Sequence, residues 1–234
     1  MALTTIKSGA LDSAAITSDA QNNTVAGSNA GDSFTGTDAN NNTLIGYSAG
    51  TVITAGDHNT AVGYLVLMDN TTGSYNTAAG GYALANNTTA GYNTANGYAA
   101  LYANTTGVKN TASGHEALYS NTTGGWNTSV GRVSLRSNTT GSNNAAFGQA
   151  ALYENTTASY NTALGDASLY STTASYNTAV GQASGNANTT GEDLVAIGYL
   201  AATTNTTGQS NTAIGSGALQ LNTTGGSNTS VGRQ

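Results

Sequence analysis

Cysteine and proline are both absent from this chain of 234 residues, and only 7% of its residues are charged. Without cysteine there is no disulfide framework, thiol nucleophile or zinc–thiolate site, and thiols say nothing of redox compartment. Ordinary globular domains carry about 25% charged residues and about 5% proline, so this composition is far from average. Five Lys or Arg, eleven Asp or Glu and two His leave little material for acid–base, metal or cofactor chemistry. A net charge of −6 with no basic cluster argues against an electrostatic nucleic-acid footprint. No apolar run approaches the roughly 18 residues of a membrane span. The opening Met1-Ala2-Leu3-Thr4-Thr5-Ile6-Lys7 lacks the charged start and apolar stretch of a secretory signal. Composition therefore points away from an enzyme, and no catalytic residue, metal site, cofactor, nucleic-acid partner or membrane insertion is expected.

What the chain has instead is a repeat. From Asn42 onward it cycles through a pattern close to Asn-Thr-Ala-Val-Gly-x-x-Ala-Leu-x-x-Asn-Thr-Thr-Gly-x-x. The glycine at the fifth position falls at Gly46, Gly63, Gly80, Gly97, Gly114, Gly131, Gly148, Gly165, Gly181, Gly198, Gly215 and Gly232. The step is 17 residues throughout, except for one of 16 before Gly181, where Leu169-Tyr170-Ser171-Thr172-Thr173 is one residue short. These make twelve copies, the last cut short, and a looser copy, Asn23-Thr24-Val25-Ala26-Gly27, precedes them by a step of 19. A fixed period of this kind marks a solenoid or array. The repeat is too short for a helical hairpin of about 30 residues and too rich in Asn, Thr and Gly for helix.

Two short strands with glycine turns fit better. One would be Asn-Thr-Ala-Val and the other the x-Ala-Leu-x region or its flank, with turns at the fifth and fifteenth positions. The fold class is thus all-β, a parallel β-solenoid of stacked coils spaced roughly 4.8 Å apart. Its interior is expected to hold the fourth position (Ile45, Val62, Val130, Phe147, Leu164, Val180, Ile197, Ile214, Val231) and the ninth (Leu67, Leu84, Leu101, Leu118, Leu135, Leu152, Leu169, Leu219). Two large apolar side chains per coil contribute roughly 1.5–3 kcal/mol each, against about 1–2 kcal/mol of backbone entropy per residue. Such a stack is marginal. Stacked Asn and Thr columns can add hydrogen-bond ladders, and an interface between chains would add more, so a homotrimer wound round a common axis is expected. Residues 1–41 read as an attachment or capping segment and 42–234 as the rod.

Leu194-Val195-Ala196-Ile197-Gly198, with the Asn-Thr-Ala-Val-Gly copies around it, resembles the head repeats of trimeric autotransporter adhesins. The longer Asn-Thr-Ala-x-Gly-x-x-Ala-Leu-x-x-Asn-Thr-Thr-Gly form looks like repeats of phage tail fibres. The opening Met1–Leu11 segment with Ala15-Ile16-Thr17-Ser18 is similar to N-termini of tail-fibre proteins from marine phages. The resemblance covers about residues 42 to 232 and implies a trimeric β-roll. It implies a structural tail-fibre segment in the virion, joined to tail proteins through the N-terminal segment and to another fibre protein at the C-terminal end. The sequence shows no signal, heptads or anchor, so the bacterial surface adhesin or extracellular filament subunit stands second. A third reading, an ice-binding solenoid, rests on the recurrent Thr71-Thr72, Thr88-Thr89 and Thr105-Thr106 pairs.

The histidines, His58 and His115, sit at different repeat positions more than three coils apart. Asp57, Asp69, Glu116, Glu154, Asp166, Glu192 and Asp193 recur at no fixed position, whereas a glycosidase needs two carboxylates about 5–9.5 Å apart. Triplets such as Asn70-Thr71-Thr72 and Asn121-Thr122-Thr123 match a glycosylation acceptor, but their fixed repeat position suits ladder and turn residues. The aromatics are more telling. Tyr75, Tyr92, Trp126, Tyr160 and Tyr176 share the last repeat position; Tyr102, Tyr119, Tyr153 and Tyr170 the tenth; Tyr47, Tyr64, Tyr98 and Tyr199 the sixth. Such stripes can stack on sugar faces, can cover a seam between chains or can stack on one another. The last-position set is the candidate contact for host-surface glycan.

Overall fold

The computed structural model describes residues 17–34 and 38–234 and is a parallel β-solenoid. The proposed attachment motif over Met1–Leu11, with Ala15 and Ile16, lies outside the described residues. Two-residue β1 (Thr17–Ser18) pairs antiparallel with β2 (Thr24–Ala26), and from β2 onward every strand pairs in parallel with the next, ending at β14 (Thr229–Val231). Register follows the repeat: Thr43 sits beside Thr60 and Thr60 beside Thr77, and the short step is absorbed where β10 (Thr162–Leu164) pairs with β11 (Thr178–Val180). Thirteen parallel strands at about 4.8 Å spacing give a stack roughly 58 Å long. At its start, Asp19 accepts hydrogen bonds from the backbone of Gln21 and Asn23 and from the Asn23 amide. Burial opposes ionisation there, but the Asn23 and Gln21 hydrogen bonds prevail and hold the carboxyl below its usual range.

Each coil contributes one strand of three residues, at positions two to four, and not the two expected. The Ala-Leu half runs as turns. Its backbone is left-handed at the seventh and ninth positions, and again at the seventeenth, even where large side chains stand: Leu65 at φ 52°, Leu67 at 49°, Tyr75 at 61°. Left-handed backbone costs an L-residue roughly 1–2 kcal/mol. Here it aims peptide groups along the stack: Leu65 N–H donates to Tyr47 in the preceding coil and Leu67 N–H to Ala83 in the following one. Hydrogen bonds between coils therefore continue around the perimeter, beyond the strands. The twelve fifth-position glycines all have φ between 122° and 143°. A Cβ on Gly80 would lie 2.7 Å from the Gly97 carbonyl oxygen, so conformation and stacking both demand glycine there. The fifteenth position is different: its backbone is not left-handed, and small buried residues, Ala90, Ala158 and Ala174, stand there beside the glycines.

The interior also corrects the expected phase. The fourth position points outward: Val62 is 41% and Leu164 49% exposed, and Ile45, Val130, Phe147, Ile197, Ile214 and Val231 are exposed with them, while Val180 is half-buried. Inward go the third position (Ala61, Ala78, Ala95), the eighth (Ala83, Ala100) and the ninth-position leucines, all fully buried apart from half-buried Leu219. Most coils bury one large side chain, whereas the first two bury a pair each, Leu44 with Ile53 and Val66 with Leu67. Where the ninth position is Gly50, Leu44 and Ile53 reach to within 3 Å of where its Cβ would be; where it is Gly185, Leu169 and Leu194 do so within about 3.1 Å. Volume is conserved by substitution from another column, as a close-packed interior requires.

The rest of the interior is amide. Asn at the first position accepts, through Oδ1, the backbone N–H of the next coil's Asn (Asn59 N to Asn42 Oδ1, 2.9 Å; Asn76 N to Asn59 Oδ1, 3.0 Å). Asn at the twelfth stacks amide on amide: Asn87 to Asn70 at 2.7 Å, Asn104 to Asn87 at 2.9 Å, Asn121 to Asn104 at 2.8 Å. Both columns donate to the same fifteenth-position carbonyl, as Asn93 and Asn104 do to Gly107 at 3.0 Å each. The short coil breaks this order. Thr172 stands where the twelfth-position Asn belongs, and both Asn155 Oδ1 and Asn161 Nδ2 are buried without a hydrogen-bond partner.

Replacing Asn104 by Ala should cost about 2–3 kcal/mol, because Asn87 Oδ1 is then buried without its donor; urea denaturation measures it, and a loss below 0.5 kcal/mol would deny the ladder its role. Conversely, inserting one threonine after Thr173 together with Thr172→Asn restores the full coil. It should raise stability by about 1–2 kcal/mol and with it the thermal midpoint.

Candidate functional site

The aromatic columns lie outside this core. At the seventeenth position Tyr75, Tyr92, Trp126, Tyr160 and Tyr176 are each about half exposed or more, on left-handed residues whose N–H groups donate to the preceding coil. They stack in blocks and not as one continuous stripe. His58, Tyr75 and Tyr92 form one run with ring centroids 5.0 Å apart; Tyr160 and Tyr176 form another at 5.3 Å. Between them Lys109 places its ammonium 3.9 Å from the Trp126 ring centre, a spacing at which the ring quadrupole attracts a cation. Asn143 separates that pair from Tyr160. The rings thus support one another within a single chain while keeping outer edges in solvent.

On the sixth position Tyr47 stacks on Tyr64 at 5.5 Å and Tyr98 on His115 at 5.3 Å. Both histidines are therefore members of ring stacks, and Tyr199 stands exposed further along. Gly81 leaves the sixth column without a ring, and Tyr82, one residue later, fills the gap edge-on, with centroids 5.3 Å from Tyr64 and 5.8 Å from Tyr98. Tyr82 also reaches the tenth column, 6.3 Å from Tyr102, which stacks on Tyr119 at 5.1 Å. Desolvation among these rings, then the charge and hydrogen bond of Tyr64, push the Tyr82 phenol above its ordinary range. Tyr153 and Tyr170 form a separate tenth-position stack at 5.1 Å. Tyr82 was not among the residues singled out from sequence, although the Gly-Gly-Tyr order in that copy displaces a tyrosine by one place.

Next to this cluster Arg136 donates from Nε to Glu116 at 2.7 Å and lays its guanidinium 5.0 Å from the Tyr119 ring centre. The hydrogen bond to Glu116 raises the Arg136 pKa further, so the guanidinium is charged at any working pH.

Other candidates take plain structural places. Asn70 and Asn121, the asparagines of two acceptor triplets, are fully buried with their amides in the ladder. The first threonine of each Thr-Thr pair is occupied too: Thr71, Thr88 and Thr105 donate their hydroxyls to the next coil's carbonyl at 3.1 Å. Asp57 accepts from Asn40 of the preceding coil at 2.7 Å. Comparison of the chain with family models, curated proteins and solved structures finds no match.

The Glu116–Arg136 pair is partly solvent-exposed, so Glu116→Gln should change stability by less than about 1 kcal/mol in urea denaturation. A larger loss would mean that the pair holds the fold rather than decorating it.

Proposed function

We propose that this chain is a structural segment of a bacteriophage tail fibre, a rod-like homotrimer that acts as a spacer and offers aromatic columns to host-surface glycan. The observation that carries the reading is the outward fourth column. Ile45, Val62, Val130, Phe147, Leu164, Ile197 and Ile214 form a line of exposed aliphatic and aromatic side chains along one strand face. Apolar surface of this kind, in two stretches on either side of Ala79, Asn96 and Ser113, marks an interaction site, and a line that runs with the rod fits a parallel copy of the same rod better than a compact partner. A fibre spacer needs length without bulk, and in-register stacking supplies it at one short coil per strand spacing. The repeat resemblance to tail fibres supplies the biological setting, with the N-terminal segment joining tail proteins and the far end another fibre protein.

Sedimentation equilibrium should return three times the chain mass of 23.2 kDa. Leu164→Glu should reduce this to the single-chain mass while the circular dichroism of the coils is kept, because the side chain is exposed in one chain. A wild-type monomer would overturn the trimer. Antibodies against the rod should label virion tails in electron micrographs; labelling of bacterial surfaces alone would replace the phage fibre by an adhesin.

A further inference from the structure

Three successive coils, residues 76–126, depart from the repeat together. Their fourth-position residues are Ala79, Asn96 and Ser113, between Val62 on one side and Val130 and Phe147 on the other. The apolar line is interrupted for those three coils only. The same coils supply Tyr82, Tyr98, Ala99, Tyr102, Glu116 and Tyr119, which line a recess of about 270 Å³. Ligand pockets run from about 300 to 1,000 Å³, so this one is sized for a single ring or two. Of its lining, Ala99 is buried, Tyr98 is half exposed, and Glu116 is bonded to Arg136 from the following coil. Uniform coils suit a spacer; recognition usually resides where regularity is broken.

We infer that this recess is a saccharide site, taking one or two pyranose units of a glycan whose ring substituents are equatorial, of the β-glucose or N-acetylglucosamine kind. The inference rests on the glycan-contact part of the proposed function and gives it a location distinct from the seventeenth-position column. Such a pyranose has two faces of axial C–H groups and a rim of hydroxyls, so it needs aromatic walls and a charged acceptor and donor at the edge. Tyrosine rings supply the apolar area with polar tips. Glu116 accepts from one hydroxyl, and Arg136, fixed by its Nε–H bond to Glu116 and by the Tyr119 ring, presents a donor to its neighbour. Charge-assisted hydrogen bonds of this type are about twice as strong as neutral ones. An aromatic cage can also hold a quaternary ammonium, but here His115 stacks on Tyr98 and Arg136 on Tyr119, and Arg132 follows His115 in the sixth column. The Arg136 guanidinium beside Glu116 disfavours a cationic ligand there.

Saturation-transfer NMR on the full chain with cellopentaose, chitotetraose and maltopentaose tests this. At least one of the two β-linked probes should receive saturation at its ring C–H protons, more strongly than maltopentaose. Tyr98→Ala and Glu116→Gln should each weaken its binding at least tenfold, with sedimentation mass unchanged, while Leu221→Ser, at an exposed residue in a distant coil, should stay within twofold of wild type. Binding of neither β-linked probe overturns the inference, and so does choline binding in their place. Wild-type affinity in both recess variants overturns it as well. In that case loss of binding on Trp126→Ala or Tyr160→Ala would leave glycan contact standing at the seventeenth position. The fibre reading itself is judged separately, by the native mass and the virion labelling.

Discussion

Everything in this rod depends on the hydrogen bond that one asparagine amide makes to its copy a coil away. A tube this narrow holds one leucine and two alanines per coil in the regular copies, too little apolar volume to hold the backbone by burial alone. Asparagine supplies both a donor and an acceptor at a fixed spacing, and the coil repeat matches that spacing. The amide of the first column takes the next coil's backbone N–H, the amide of the twelfth takes the next amide, and both meet at one carbonyl. A buried polar network of this kind is stabilising only when complete. That explains why sixteen residues in place of 17 leave a mark at Asn155 and Asn161 although strand pairing passes through the short coil undisturbed.

Completeness inward leaves freedom outward. The second, fourth, sixth and seventeenth positions are not asked to fill the tube, so their side chains can vary without disturbing the stack. The fixed coil spacing then decides what varied side chains do. Identical rings one coil apart are brought to about 5 Å and stack. A ring displaced by one residue, as Tyr82 is after Gly81, meets its neighbours edge-on and bridges two columns instead of extending one. A single transposition thereby turns two ladders into a concave cluster.

The repeat, the solenoid, the glycine at the fifth position and the leucine column at the ninth were legible from the sequence because each rests on period alone. The phase of the strand was not. Large apolar residues at the fourth position look like core, but the alternation of a strand puts first and third residues on one side and second and fourth on the other. Once Asn42, Asn59 and their copies are inside, Ile45 and Val62 must be outside. What betrays this in the sequence is a third position that is small in nearly every coil beside a ninth position that is Leu in most, a sign of limited volume. Leu44 and Leu194 confirm it by appearing inside only where Gly50 and Gly185 make room. The second half of the coil departs from the expected strand for another reason. Its turns put Leu65, Leu67 and Tyr82 in left-handed backbone, for which the usual signals are Gly and Asn.

The interior and exterior therefore carry different kinds of information. A side chain lost from a ladder is felt by the coils on either side, so the inner columns are held to one residue type almost throughout. An outer column has no such constraint, and a change that spans several of them at the same height calls for a cause acting at that height. Over residues 76–126 the fourth column loses its aliphatic side chains while the sixth and tenth gain a joined tyrosine cluster beside Glu116 and Arg136. Chain-to-chain packing along the rod would favour an unbroken apolar line, which Asn96 and Ser113 do not supply. The break in the apolar line and the tyrosine-lined recess occur in the same three coils, and neither requires any departure from the fold.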